Sequence, residues 1–501
     1  MAEPGNDRVG LGAILAAQRG AFVADGPPPP AVRHNRIDRL SALLLENTEA
    51  FAEAMGADFG TRSRSASLFT EIIGILPLLE YTRSHTATWM KPGRPMRGDR
   101  LFGLRAEVQP SPLGVAGIIG PWNFPVHLVV LPAAAAFAAG NRVMIKMSEI
   151  TARTGELMAE LAPRYFDETE LAVVTGGPEV AAEFAGLPFD HLFFTGSPEV
   201  GKRVQAAAAA NLVPVTLELG GKNPVVVAPG QGHADIERAA ARIATARMVN
   251  GGQVCVCPDY VLVPDQQVDQ FVAAALARLR AMFLSIVDNP DYCSSVNEAN
   301  FDRVAGLIED ARERGARVES VTPPGETLPD RATRKIAPTI ILDVADGMRI
   351  AEEEVFGPVL AVLGYTDLQQ AIDYVNARPA PLVSYWYGPD DGAFRRFVRN
   401  TRSGGVARND FAAQMIPAGA PFGGVGRSGT GAYHGKAGFD AFSHYRTVVG
   451  SDLPFSITGS AAPPFRLPMR LYADTALALA RRKTRRRLKR SGDNRGAGTQ
   501  R

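Results

Sequence analysis

From residue 114 onward, short apolar runs alternate with helical segments, and they do so in two successive blocks. In the first block, 115–119, 142–145, 171–174, 191–194 and 213–217 read as strands. Helices over 133–139, 152–161 and 199–210 separate them. The second block runs from 223 to about 421, with strands near 225–227, 260–263, 339–342 and 359–365. Its helices are 236–248, 265–282 and 300–314. Such alternation folds into parallel sheets with helices on their faces. The chain is therefore expected to be α/β, with two parallel-sheet α/β domains meeting near residue 222. Ahead of them lies helical material, broken by the prolines at 27–30 and resuming as one amphipathic stretch over 33–56. No internal repeat is visible.

Composition narrows the class. A chain of 501 residues with 46% apolar content can bury a large core and hold two or three domains. Three cysteines exclude a disulfide framework and fit a reducing, cytoplasmic setting. Residues 1–7 show neither a basic nor an apolar leader pattern, so no secretory signal is expected. Residues 117–140 lack acidic and basic side chains and approach membrane-spanning length. Pro121, Asn123, Pro125, His127 and Pro132 divide that stretch into a loop and a short Ala-rich helix, which makes it buried core. Net charge is +2, but residues 481–501 carry ten Lys or Arg against the single acid Asp493. A basic tail thus follows a mildly acidic body.

The chemistry concentrates at Asn250-Gly251-Gly252-Gln253-Val254-Cys255 and, upstream, at Leu217-Glu218-Leu219-Gly220-Gly221-Lys222-Asn223-Pro224. A thiol attacks carbonyl carbon well only as thiolate, so Cys255 needs a proton acceptor, and Glu218 is the carboxylate at hand. Thr195-Gly196-Ser197-Pro198-Glu199-Val200-Gly201 follows a strand and opens a helix. A helix N-terminus offers N–H groups to a pyrophosphate, with Gly196 and Gly201 permitting close approach and Ser197 adding a hydroxyl. Ser197 as an ordinary N-cap ahead of a first-turn proline is equally good local chemistry. Lys146 and Glu149 follow the strand 142–145 and point toward the crevice where such sheets bind nucleotides. Gly424-Val425-Gly426-Arg427-Ser428-Gly429 fits a dinucleotide fingerprint in letters alone, since no strand precedes it and no amphipathic helix follows.

These motifs, in this order, resemble the aldehyde dehydrogenase superfamily over roughly residues 30–450. Pro121-Trp122-Asn123-Phe124-Pro125, Ile145-Lys146-Met147-Ser148-Glu149, Phe194-Thr195-Gly196-Ser197, Glu353-Glu354-Val355-Phe356-Gly357-Pro358 and Pro421-Phe422-Gly423-Gly424 complete the set. Pro258-Asp259-Tyr260-Val261-Leu262-Val263 and Gly431-Ala432-Tyr433-His434-Gly435 are similar to its class 3 branch, nearest the coniferyl aldehyde dehydrogenases. The resemblance implies a Rossmann-like NAD-binding domain over 1–93 and 114–221 and a catalytic domain over 222–423. It also implies a small β oligomerisation arm over 94–113 and 424–459, leaving a tail at 460–501. It implies NAD-dependent aldehyde oxidation, with NADP tolerated, in a homodimer. Cys255 would be the nucleophile, Glu218 the hydrolytic base, and the Asn123 amide with the Cys255 N–H the oxyanion donors. Trp122, Lys146, Glu149, Glu354 and Phe356 would line the cofactor, with Glu149 accepting from the adenosine ribose.

Other readings are weaker. A CoA-acylating enzyme of the same fold lacks the base carboxylate that Glu218 supplies. A silent scaffold would not be expected to keep Cys255, Glu218 and Asn123 together. Cys257 departs from the family pattern and reads as a small core residue, Cys293 as an inert one. The scattered histidines predict no metal site. Residues 461–468 read as a proline-rich linker and 471–480 as a short apolar stretch before the basic run. That tail is expected to be solvated, with attachment to an anionic membrane surface the alternative. No nucleic-acid partner is expected.

Overall fold

The computed structural model describes residues 10–96, 103–454, 462–465 and 467–496. The N-terminal heptapeptide read for a leader, part of the expected linker and the last tail residues lie outside them. Two compact units are present, residues 1–91 with 110–446, and residues 92–109 with 447–501.

The larger unit holds both expected sheets. The first runs β14-β6-β5-β2-β3-β4. Its strands are β2 (Val115–Ile119), β3 (Arg142–Lys146), β4 (Leu171–Val174), β5 (His191–Gly196), β6 (Val215–Leu219) and β14 (Gly429–Thr430). All pairs are parallel except β14 on β6. The second runs β13-β12-β7-β8-β11-β10-β9. Its strands are β7 (Asn223–Val227), β8 (Pro258–Pro264), β9 (Arg317–Ser320), β10 (Thr339–Leu342), β11 (Val359–Tyr365), β12 (Val383–Tyr387) and β13 (Gly405–Arg408). Only β9 is antiparallel there. Strands β2, β3, β7, β8 and β10 are buried at every position, which is why they read as unbroken apolar runs.

Three expectations need correction. The single amphipathic stretch over 33–56 is two helices, Pro30–Glu46 and Thr48–Phe59, parted where Asn47 leaves helical geometry. Pro132 does not break its segment, because the helix His127–Ala139 runs through it. That helix is buried from Leu128 to Ala139 and packs on Pro30–Glu46, Leu76–Trp89 and Gly435–Ala441, which explains its lack of charge. The chain around Gly424 does not leave for an arm. It turns back through β14, whose Gly429 pairs with Glu218, and residues 424–446 stay in the larger unit. A Cβ at Gly429 would lie 2.2 Å from the Leu217 carbonyl oxygen, so glycine is what lets this edge strand approach β6.

A two-stranded sheet of β1 (Leu104–Pro112) and β15 (Ser443–Ser451) falls mostly within the smaller unit, which also contains a helix, Leu467–Gly496. The helix takes in the expected apolar stretch 471–480 and the basic run after it, while residues 462–465 ahead of it are not helical. Among the described residues, no helix is long and apolar enough to cross a membrane.

Candidate active site

In the first sheet the chain steps from β2 to β3 and β4 on one side, then crosses to β5 and β6 on the other. The order reverses between β2 and β5, and the crevice of such a sheet opens outside the carboxyl ends at that point. Gly120 to Phe124 leave β2 there, Lys146 to Glu149 leave β3, and Gly196 to Gly201 leave β5. Glu218 is the fourth residue of β6, next to β5, on the same edge.

Cys255 arrives from the second sheet, three residues ahead of β8. The turn before it is left-handed for three residues running, with φ of 50° at Asn250, 63° at Gly251 and 77° at Gly252. Few side chains tolerate that region, and Asn is among them. The Gln253 side chain locks the turn. Its amide nitrogen donates to the carbonyls of Asn250 (2.9 Å) and Ser294 (3.0 Å), and its oxygen accepts from the Val296 N–H (3.0 Å). Asn223 holds the far side, donating to the carbonyls of Cys255 (2.7 Å) and Cys257 (3.0 Å).

Cys255 is half-buried, and burial pushes its thiol well above the ordinary cysteine range. The carboxylates of Glu218 and Glu354 push it further. Glu218 itself is buried, its Oε1 has no hydrogen-bond partner, and desolvation raises it well above a normal carboxylate. At neutral pH both groups therefore hold their protons more tightly than free side chains do. Asn123 is buried beside them, its amide donating to the Gln253 carbonyl at 3.1 Å. One amide hydrogen is engaged there and one remains for an oxyanion.

The expected cofactor residues lie at four places. Lys146 is buried, donates to the Met147 carbonyl (2.7 Å) and lies 3.6 Å from Glu149, so these two stand together at the end of β3. Trp122 and Phe356 meet edge to face at 5.3 Å, joining the loop after β2 to the segment before β11. Ser197 caps the helix Pro198–Ala209, accepting from the Val200 N–H at 3.3 Å. The glycines beside it serve packing. A Cβ would meet the Phe194 ring at Gly196 and the Leu219 side chain at Gly201. Glu354 adjoins Gly220, where a Cβ would lie 2.4 Å from its Oε2. Burial, with Asp259 adding to it, brings the Glu354 carboxyl up to about 8. A second raised carboxyl, at a residue the sequence had placed on the cofactor, therefore acts electrostatically on the Cys255 thiol.

Several contributors were not legible. Lys222 pairs with buried Asp259 and donates to the Ile350 (2.9 Å) and Glu353 (2.9 Å) carbonyls. Asp259 in turn accepts from the Val355 N–H at 2.9 Å. Arg303 reaches the carbonyls of Glu354 (3.0 Å) and Val355 (2.7 Å), so these three side chains fix the strip carrying Glu354 and Phe356. Cys257 is buried core, its thiol facing the Ala246 carbonyl. Cys293 is not isolated. Its sulfur contacts the Asn250 side chain at 3.4 Å, beneath the Cys255 turn.

A cysteine on a locked turn, a buried carboxyl and an amide donor thus stand together in a doubly wound α/β fold. Residues 11–448 match the aldehyde dehydrogenase family, and the chain belongs to that family. It is 48% identical over 440 residues to a coniferyl aldehyde dehydrogenase of Pseudomonas sp. (strain HR199 / DSM 7063), covering 88% of this chain and 90% of the relative. A substrate-bound Staphylococcus aureus AldH superposes with a TM-score of 0.84 at 32% identity, covering 92% of this chain and 98% of that one. The P. syringae indole-3-acetaldehyde dehydrogenase AldA, solved as a mutant with NAD+ and IAA, gives 0.79 at 26% identity, with 88% of each chain covered.

Proposed function

We propose that the protein oxidises an aromatic, coniferyl-type or medium-chain aliphatic aldehyde to its acid, with NAD preferred over NADP. The observation that carries this reading is the Cys255 turn with the buried, unpartnered Glu218 carboxyl beside it. Cys255, half-buried, gives its proton to water and adds as thiolate to the aldehyde carbon. The oxyanion forms against the free Asn123 amide hydrogen and the Cys255 N–H. Removing one such donor typically costs about 10²–10³ in rate. A nicotinamide held by the residues below would supply the hydride acceptor; Cys255 then carries the acyl group as a thioester, and Glu218, its basicity raised by burial, directs water onto it. Trp122, Lys146, Glu149, Gly196, Ser197, Gly201, Glu354 and Phe356 are the residues assigned to the cofactor. The Glu149 carboxylate repels a 2′-phosphate.

The ribbon β1–β15, with β15 exposed beyond Ser443, is assigned to homodimer formation, since a two-stranded sheet is marginal alone. The tail helix leaves Leu471, Tyr472, Leu477 and Leu479 exposed ahead of its basic run. The protein is assigned to the cytoplasm, and that composition favours peripheral attachment to an anionic membrane as a second reading beside a solvated tail. Sedimentation with anionic liposomes, lost on deletion of 461–501 and at high salt, tests this. The function itself is tested by NADH formation from a panel of aromatic and aliphatic aldehydes, with and without CoA. NADH formed without CoA, yielding free acid, is the expected result. A strict requirement for CoA would overturn it.

A further inference from the structure

The loop that carries Asn123 is held from outside the two sheets by a buried ion pair. Arg62 follows the helix Thr48–Phe59, and Glu71 lies in a π-helical turn, Leu68–Ile73. Their side chains are 2% and 0% exposed and meet at 2.8 Å. Each then reaches the loop with its remaining hydrogen-bonding capacity. The Arg62 Nη1 donates to the Asn123 carbonyl at 3.0 Å. The Glu71 Oε2 accepts from the N–H groups of His127 (2.8 Å) and Val126 (3.2 Å), which open the helix His127–Ala139. The guanidinium also sits 4.8 Å from the Phe59 ring centroid and 5.4 Å from that of Phe124. A π-helical turn is rare and frequently marks a functional site. A fully buried ion pair is weak evidence of stability, because desolvation offsets most of the attraction. Both ends of this one terminate on the backbone within four residues of Asn123.

We propose that Arg62 and Glu71 are positioning residues, which hold the Asn123 amide at the distance from Cys255 that oxyanion stabilisation requires. The proposal rests on the assignment of Asn123 as an oxyanion donor. A displacement of about 1 Å at such a donor can cost on the order of 10²-fold in rate. Glu71→Gln keeps the shape and weakens both attachments.

The test is a double-mutant cycle of Glu71→Gln with Asn123→Ala, reading kcat, KM for aldehyde and NAD affinity. Glu71→Gln is expected to lower kcat at least tenfold with NAD affinity nearly unchanged. On the Asn123→Ala background it should cost little more, because residues acting through one donor do not add. Full multiplication of the two losses overturns the proposal while leaving Asn123 as the donor. Near-normal kcat in Asn123→Ala alone overturns the donor assignment, and the proposal with it. Should Glu71→Gln fold poorly, Arg62→Met with Glu71→Met removes both charges and strands neither. That pair is expected to fold and to show the same loss of kcat, whereas wild-type kcat would contradict the proposal.

Discussion

Replacing Gly252 by alanine places a methyl group where the backbone leaves no room. The residue has φ +77°, and its Cβ would lie 2.1 Å from the Gly357 carbonyl oxygen and 2.5 Å from the carbonyl carbon. The left-handed conformation alone costs about 1–2 kcal/mol. The collision is with main chain on both sides, so either the Cys255 turn or the segment after Phe356 must shift. Together these place the loss among the exceptional single substitutions, on the order of 4 kcal/mol. Gly251→Ala is the matched control. Its φ is +63°, but the nearest atom to its Cβ, the Cys293 carbonyl oxygen, is 3.1 Å away, so a small local adjustment adds to the conformational cost of about 1–2 kcal/mol. Calorimetric unfolding of the two variants at one scan rate, alongside kcat, checks the argument. Gly252→Ala is expected to unfold at clearly lower temperature than Gly251→Ala and to lose roughly 10²-fold in kcat, because Cys255 moves with the turn. Equal losses of stability would refute the claim that contact between Gly252 and Gly357 sets the turn.

Further expectations follow from the site's charges. Lys222→Met strands the buried Asp259 carboxylate and is expected to destabilise by about 3–5 kcal/mol, most of it recovered in Lys222→Met with Asp259→Leu; urea unfolding of the single and double variants measures this. Glu149→Gln is expected to narrow the preference for NAD over NADP, and an unchanged ratio of kcat/KM for the two cofactors would remove this carboxylate from the ribose. Burial raises the Glu218 carboxyl above its unfolded value of 4.5, so its contribution to stability is greatest below that pH and falls as pH rises toward the folded value. Glu218→Gln should therefore flatten the decline of melting temperature with pH. Catalysis runs the other way, and kcat/KM is expected to climb through neutral pH as the Cys255 and Glu218 protons become removable.

Legibility in the sequence followed burial. Strands β4, β10 and β11 coincide with their expected bounds because each is a compact apolar run between polar turns. Strand β9 has no apolar run to see, since it is an edge strand with exposed ends, and β13 buries only Ala407. Strand β12 was missed although all five of its residues are buried, Ser384 interrupting an otherwise apolar and aromatic run. Pro132 misled because the rule for an isolated helix does not hold for one encased by other helices. Cys255, Glu218 and Asn123 were readable from local motifs, and the structure brings all three to one edge. The residues that hold them there were not. Arg62 with Asn123, and Lys222 with Asp259, are partners through the fold, so no local spacing announces them. Glu354 shows the same limit from another side, because its seat against Gly220 exists only in the fold.

The central claim is that Cys255 carries the acyl group and Glu218 releases it. Rapid mixing of Glu218→Gln with aldehyde and NAD, followed by acid quench and intact-mass measurement, tests both parts at once. The account predicts a burst of NADH of about one equivalent per active site, little turnover afterwards, and an added acyl mass located on Cys255. Steady turnover in Glu218→Gln, with the burst and stall appearing in Glu354→Gln instead, would contradict it and move the hydrolytic role to the second carboxyl.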